Sequence, residues 1–237
     1  MATPDPRFDE TWDVVSSFKG WCTRDQAHSL WDAASRLGEK PSVVEIGSHQ
    51  GKSTVVLARA VQGKGGTVHA VDPFVEGRLF GGKKTRDLFE EHVAAGGVTD
   101  VVDLHVDYSG TLRPDWTAPI DLLYIDGKHD YWTVVDDLQW GVHLPPGGEL
   151  LIHDAFSSIG VTLGLIRSML FSSDWTYVSR ETSLALFRKT RPSRADRLRF
   201  VAQLPWWLRN VVIKVLLRLR LTPVARLLGH DHEHDPY

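Results

Sequence analysis

Five segments of this chain end in side chains that can hold or move charge: Glu45-Ile46-Gly47-Ser48-His49-Gln50-Gly51, Asp72, Asp107-Tyr108-Ser109, Asp126 with His129, and His153-Asp154. Carboxylates accept hydrogen bonds from sugar hydroxyls or hold hard cations, and imidazoles exchange a proton near neutrality. Gly47 and Gly51 let the backbone turn sharply and approach a ligand closely. Glu45, just before the first glycine, argues against a phosphate cradle. Asp72, 25 residues after Gly47, has the spacing of an acid that accepts from ribose hydroxyls. The G-x-G-x-x-G loop of dinucleotide enzymes is missing, and around Lys52-Ser53 the G-x-x-x-x-G-K-[ST] spacing of a Walker loop is absent. A ligand with an adenosine and a cationic amino-acid part, but no phosphate, suits Glu45, Asp72 and Asp107.

Such residues need strands to place them. Val43–Ile46, Thr67–Val71, Val101–Val106, Ile120–Ile125 and Glu149–Ile152 read as strands, and they alternate with helical patterns over Lys52–Val61, Lys83–Ala95 and Tyr131–His143. The alternation predicts an α/β, doubly wound, mostly parallel Rossmann-like sheet, with ligands beyond the carboxyl ends of its strands. Thr176–Val178 and Leu184–Arg188, around the polar turn Arg180–Ser183, predict an antiparallel edge hairpin and a total of seven strands. Thr23–Leu37 reads as a covering helix capped by Thr23 and stopped by Gly38, and Ile159–Leu170 as another.

At 237 residues, 42% hydrophobic and 24% charged, the chain can bury one substantial core. Cys22 is alone, and Met1 to Asp9 show no secretory signal pattern, so a reducing, cytoplasmic setting is expected. No segment approaches the roughly 18 uninterrupted apolar residues of a membrane span. The net charge of -3 conceals a division: residues 1–187 carry -10, 188–228 carry +10 and the last nine carry -3. The expected organisation is therefore a domain over 1–189, a basic amphipathic helical extension over 190–228, and a disordered tail over 229–237. Arg194, Arg197, Arg209, Lys214, Arg218 and Arg220, interleaved with apolar residues and Trp206-Trp207, suit helices at the inner face of a membrane. Packing on the domain, or on a second copy in a homo-oligomer, is the competing expectation. The acidic body disfavours nucleic acid. The tract His230-Asp231-His232-Glu233-His234 suggests no more than weak metal binding.

Four ordered motifs carry a resemblance: Val-Glu-Ile-Gly-Ser-His-Gln-Gly-Lys-Ser-Thr (44–54), Val-Asp-Pro-Phe (71–74), Ile-Asp-Gly-Lys-His-Asp-Tyr (125–131) and Leu-Pro-Pro-Gly-Gly-Glu-Leu-Leu-Ile-His-Asp (144–154). From about Gly20 to Arg188 the chain resembles class I S-adenosylmethionine-dependent methyltransferases, in the small-molecule O-methyltransferase branch with cephalosporin-hydroxylase-like and macrolide-sugar enzymes. The resemblance implies that Glu45, Gly47, Ser48 and Gly51 line the methionine part of S-adenosyl-L-methionine, that Asp72 binds its ribose, and that Asp107, Tyr108 and Ser109 lie near its adenine.

Methyl transfer needs an oxygen nucleophile held in line, with a base or a metal to take up its proton affinity. Asp126, His129 and Asp154 are the catalytic candidates. Asp126 and Asp154 would suit Mg²⁺, as in the metal-dependent relatives, although His153-Asp154 stands where an acidic pair is expected. The alternative makes His129 a general base. Asp130, Asp136 and Asp137 read as solvated or capping residues. The expected function is O-methylation of a hydroxyl on a small natural product or saccharide, lipid-linked acceptors included. The alternative is a noncatalytic partner of the same fold, docked at the membrane in glycan or natural-product assembly. The acceptor pocket is expected from the Phe74–Lys84 loop, the stretch after Asp154, and Trp12 to Trp21. No Asn-Pro-Pro-Tyr-type motif of base-modifying methyltransferases is present.

Overall fold

The computed structural model describes residues 5–77 and 81–230. Two helices, α1 (Pro6–Val15) and α2 (Arg24–Ser35), precede the alternating body. The body runs β1 (Ser42–Ile46), α3 (Lys52–Val61), β2 (Thr67–Val71), α4 (Gly82–Ala95), β3 (Val102–His105), the short α5 (Ser109–Leu112), β4 (Leu122–Ile125), α6 (Tyr131–Asp137) and β5 (Glu149–Ile152). It continues through α7 (Ile159–Leu165), β6 (Thr176–Glu181) and β7 (Leu184–Arg188), and ends in α8 (Arg194–Val201), α9 (Leu204–Arg218) and α10 (Thr222–Leu227).

The seven strands lie in the order β3-β2-β1-β4-β5-β7-β6. The first five are parallel, while β7 pairs antiparallel with both β5 and β6, so the expected edge hairpin is present. Parallel strands covered on both faces are apolar almost throughout, and β4 is buried along its whole length. Period-two alternation divides the core between the faces. Val43 and Tyr124 join a cluster with Trp31, Leu57 and Phe89, whereas Val44, Ile46 and Leu123 join one with Trp140, Phe156 and Phe187. Glu45 shares the face of Val43, which directs its carboxylate toward α3.

Thr23 caps α2 as expected, in a capping box in which Gln26 returns a bond to the Thr23 backbone N–H. The basic extension packs against the carboxyl-end side of the sheet: Asn210 and Ile213 are fully buried, and Asn210 Nδ2 donates to the Phe156 carbonyl at 3.1 Å. One 18-residue window within Arg194–Arg218 has mean hydropathy 1.2, enough by length and composition for a membrane span. The expected disordered tail lies, beyond its first two residues, outside the described residues.

Candidate active site

The strand order reverses between β1 and β4, where doubly wound sheets open a crevice for ligands. Here β1 runs into Gly47, whose φ of 90° is left-handed. A Cβ at Gly47 would collide with the Asp126 carbonyl oxygen and come within 2.7 Å of Gly127 Cα, so only glycine lets the two loops touch. Gly51, also left-handed at φ 82°, starts α3. Asp72 ties the next loop to this one, because its Oδ2 accepts the His49 N–H at 2.8 Å and its Oδ1 accepts the Phe74 N–H at 2.8 Å. Each oxygen keeps a further lone pair for a ligand hydroxyl. His49, Phe74, Asp154 and Phe156 also take left-handed φ, from 44° to 58°, although none is glycine. All four follow strand ends. Strain of this kind persists where the surroundings over-determine the backbone, as they do at functional sites.

Glu45 lies deeper than the resemblance implies. It is fully buried, and both its oxygens accept hydrogen bonds from the Ser53 and Thr54 hydroxyls of α3. Burial pushes its carboxyl up to about 7, opposed by those hydroxyls. It joins β1 to α3 beneath the loop and acts on a ligand by fixing Gly47 to Gly51.

Beyond β4 and β5, Asp126, His129, His153 and Asp154 form one cluster, although 28 residues separate the two aspartates. His129 Nδ1 lies 3.2 Å from Asp154 Oδ2, and its Nε2 lies 3.6 Å from Asp126 Oδ1. His153 Nδ1 stands between the carboxylates, 3.4 Å from Asp126 and 3.6 Å from Asp154. His129 is the member open to solvent, its side chain 44% exposed against 3% for His153. Ser157 and Tyr124 complete the frame: the Ser157 hydroxyl donates to Asp154 at 2.8 Å, and the buried Tyr124 phenol to Asp126 at 3.1 Å.

Burial disfavours charge on His153, yet the adjacent Asp126 and Asp154 outweigh it and raise the ring to about 9. The same balance leaves His129 above its ordinary 6.5. Asp154 is held well below the usual carboxylate range by the two histidines, against the effect of its burial. His153 is therefore an imidazolium at neutral pH, standing between the carboxylates where a cation would sit. The atoms of Asp126, His153 and Asp154 are close enough to share a metal ion. The set nevertheless fits Mg²⁺ poorly, because a hard cation prefers oxygen ligands and here meets a protonated ring.

Beyond β3, Asp107 Oδ1 accepts the Tyr108 N–H at 2.7 Å, Tyr108 is exposed, and the Ser109 hydroxyl donates to Asp137. Asp137 corrects the expectation of a solvated helix face. It is 1% exposed, and burial pushes it up to about 7. Trp140 Nε1 donates to the Ser109 carbonyl at 3.2 Å, so Ser109 is bonded to both Asp137 and Trp140, a link that helical periodicity alone did not reveal. Asp130 caps α6, as the sequence reading allowed, and Asp136 pairs with Arg113 at 2.7 Å. Of the expected acceptor walls, the N-terminal region reaches the loop after β1: Lys52 Nζ sits 5.1 Å over Trp12, and Trp21 packs 5.6 Å from His49. Part of the Phe74–Lys84 loop, residues 78–80, lies outside the described residues.

Residues 44–155, which hold the whole crevice and both aspartates, match the family described as Methyltransferase domain. That stretch, just under half of the chain, is a methyltransferase domain. Solved structures share the fold. The O-methyltransferase TomG from Streptomyces achromogenes, in complex with SAM, is 19% identical with a TM-score of 0.59, the match covering 81% of this chain and 92% of that one. The O-methyltransferase from Bacillus cereus, in complex with SAH, is 16% identical with a TM-score of 0.59, covering 81% and 93%. The cofactor-bound Rv0187 from MTB is 18% identical with a TM-score of 0.61, covering 80% and 92%. The crevice can take the S-adenosylmethionine that TomG holds: Gly47 and Gly51 supply the left-handed turns between β1 and α3, and Asp72 presents free lone pairs at the end of β2.

Proposed function

We propose that this methyltransferase methylates a hydroxyl of a small natural product or saccharide, with His129 as general base and without Mg²⁺. The observation that carries the reading is His129 itself, an exposed imidazole held between two half-buried carboxylates at the switch point of the sheet. S-adenosylmethionine supplies an electrophilic methyl group on a sulfonium. Asp72 and the Gly47–Gly51 loop would hold it, the acceptor oxygen would take its methyl group with the thioether as leaving group, and His129 would take the hydroxyl proton. Asp126 and Asp154 stabilise the resulting imidazolium, and His153 keeps their combined charge from immobilising the proton. A general base of this kind contributes roughly 10²- to 10⁴-fold. His129→Gln should therefore lower kcat by about that factor, with affinity for S-adenosylmethionine unchanged in calorimetric titration. Asp72→Ala should weaken that affinity, and a chelator should leave turnover intact. Full activity in His129→Gln, or activity abolished by chelation and restored by Mg²⁺, would overturn the reading.

The basic extension supports an acceptor presented at a membrane surface. Leu208, Val212, Val215 and Leu219 form one exposed stripe at helical spacing, on the side of α9 away from Asn210 and Ile213. The surrounding segment carries eleven cations and one acid, so two copies pairing through this stripe would repel, whereas anionic lipid would be attracted. The opposite side of α9 reaches the site, since Lys214 feels the charge of Asp154. Flotation with anionic vesicles tests this. The wild type should float, and a chain with Leu208, Val212 and Val215 changed to Ser should not; vesicle-independent dimerisation lost in that variant would show a second copy instead.

A further inference from the structure

We propose that His69, Asp103 and His105 form a zinc-binding site on the edge of the sheet, apart from the methyl-transfer crevice. His69 lies on β2 in register with Asp103 on the edge strand β3, and His105 follows two residues later on the same face. Parallel pairing therefore brings three metal-ligating side chains together on one face. His69 Nδ1 is 3.1 Å from Asp103 Oδ2 and 3.2 Å from His105 Nε2, and His105 Nε2 is 3.2 Å from the same carboxylate oxygen. Ligands bound tetrahedrally to Zn²⁺ at about 2.0 Å stand roughly 3.3 Å from one another. The three atoms thus form one face of a zinc tetrahedron, with the fourth position left to water.

Hydrogen bonding alone satisfies this triangle badly. If both nitrogens carry protons, two N–H groups converge on one oxygen. If one does not, its lone pair faces the lone pairs of the carboxylate. A divalent cation at the centre turns all three contacts favourable. The site also differs from the cluster around His153. Here one carboxylate faces two imidazoles. Asp103 is exposed, which gives an ion access. Trp116 stands edge-on to both rings, 4.9 Å from His69 and 5.7 Å from His105, and holds their planes.

A metal here would staple β3 to β2 just below the two loops that serve the cofactor. Asp72 donates its N–H to the His105 carbonyl at 3.1 Å, and Asp107 follows His105 by two residues. Metal-stripped full-length protein titrated with Co²⁺ reports a tetrahedral site through its visible ligand-field bands, and Zn²⁺ should then displace the Co²⁺. Asp103→Asn and His105→Ala should each bind one tight equivalent fewer than wild type, or bind it at least tenfold more weakly. Zn²⁺ should raise the Tm of wild type and leave that of Asp103→Asn, a surface substitution, unchanged. The loss in His105→Ala should recur when it is combined with His232→Ala and His234→Ala in the tail, or with Asp126→Asn in the crevice. Calorimetric affinity for S-adenosylmethionine in metal-free buffer should be the same in all these variants of β3, which separates this site from the catalytic one. Wild-type stoichiometry and affinity in Asp103→Asn and His105→Ala, or a loss that vanishes in either combined background, would overturn the assignment.

Discussion

His153 Nε2 lies 3.2 Å from Gln26 Oε1, the same amide oxygen that accepts the Thr23 backbone N–H at 3.0 Å. The amide nitrogen of Gln26 meanwhile donates to the Thr182 and Ser183 hydroxyls at 2.9 and 3.1 Å. The orientation of Gln26 is thus fixed by α2 and the β6–β7 turn, and an acceptor faces His153 Nε2. That nitrogen must carry a proton, so Nδ1 is the atom presented to Asp126 and Asp154. A helix cap outside the crevice sets the proton arrangement within it.

Gln26→Leu removes that acceptor while roughly keeping the volume. A buried N–H left without a partner costs about 1–3 kcal/mol. For a chain of this size each kcal/mol corresponds to roughly 2–4 °C in Tm. The expected outcome is a fall of several degrees in calorimetry together with a reduced kcat, since His153 would no longer be held between the carboxylates. An unchanged Tm and rate would show that Gln26 does not position His153.

The raised proton affinity of His129 has a kinetic consequence. A general base works only when unprotonated, so kcat/KM should rise with pH through an apparent value above 6.5. The nearby charges of Asp126 and Asp154 cause the shift, against burial, so Asp154→Asn should move the acid limb back toward lower pH. A limb that stays in place in this variant would remove His129 from the role of base.

The fold was legible because parallel strands buried on both faces are short apolar runs, and Val43–Ile46 or Leu122–Ile125 can hardly be read otherwise. The cluster of Asp126, His129 and Asp154 was legible for a related reason: in such a sheet, residues just beyond neighbouring strand ends meet. What stayed hidden depends on which way a side chain faces and on what lies across from it. Glu45 looked like a ligand contact, but the alternation along β1 turns it into α3. Asp137 looked solvated because nothing in its own helix pattern reports Ser109 and Trp140 lying over it. Gln26 and Tyr124 reach the site from α2 and from inside β4, over sequence separations that no local spacing encodes.

Gly47 is where two loops close on one another. A methyl group there would strike the Asp126 carbonyl, and the left-handed φ of 90° strains any L residue. Gly47→Ala should destabilise by about 2 kcal/mol or more and separate the cofactor loop from Asp126. Loss of S-adenosylmethionine binding in a variant that still unfolds cooperatively is the expected result; wild-type affinity would mean that the loops can move apart without harm.

Glu45 should leave a signature in stability against pH. Its carboxyl is pushed up to about 7 in the folded protein from an ordinary 4.5, chiefly by complete burial. Between those values the folded state binds more protons than the unfolded state, so stability falls as pH rises from 4.5 to 7, and this contribution is constant outside that window. At 1.36 kcal/mol per pH unit the effect is at most about 3 kcal/mol. Glu45→Gln keeps a polar group beside Ser53 and Thr54 but has no proton to exchange. The difference in unfolding free energy between wild type and this variant, from urea titrations without cofactor, should therefore move in favour of Glu45→Gln from pH 4.5 to 7 and then level off. A difference that stays flat across the window would mean that burial does not raise the Glu45 carboxyl and that the hydroxyls of Ser53 and Thr54 offset its desolvation.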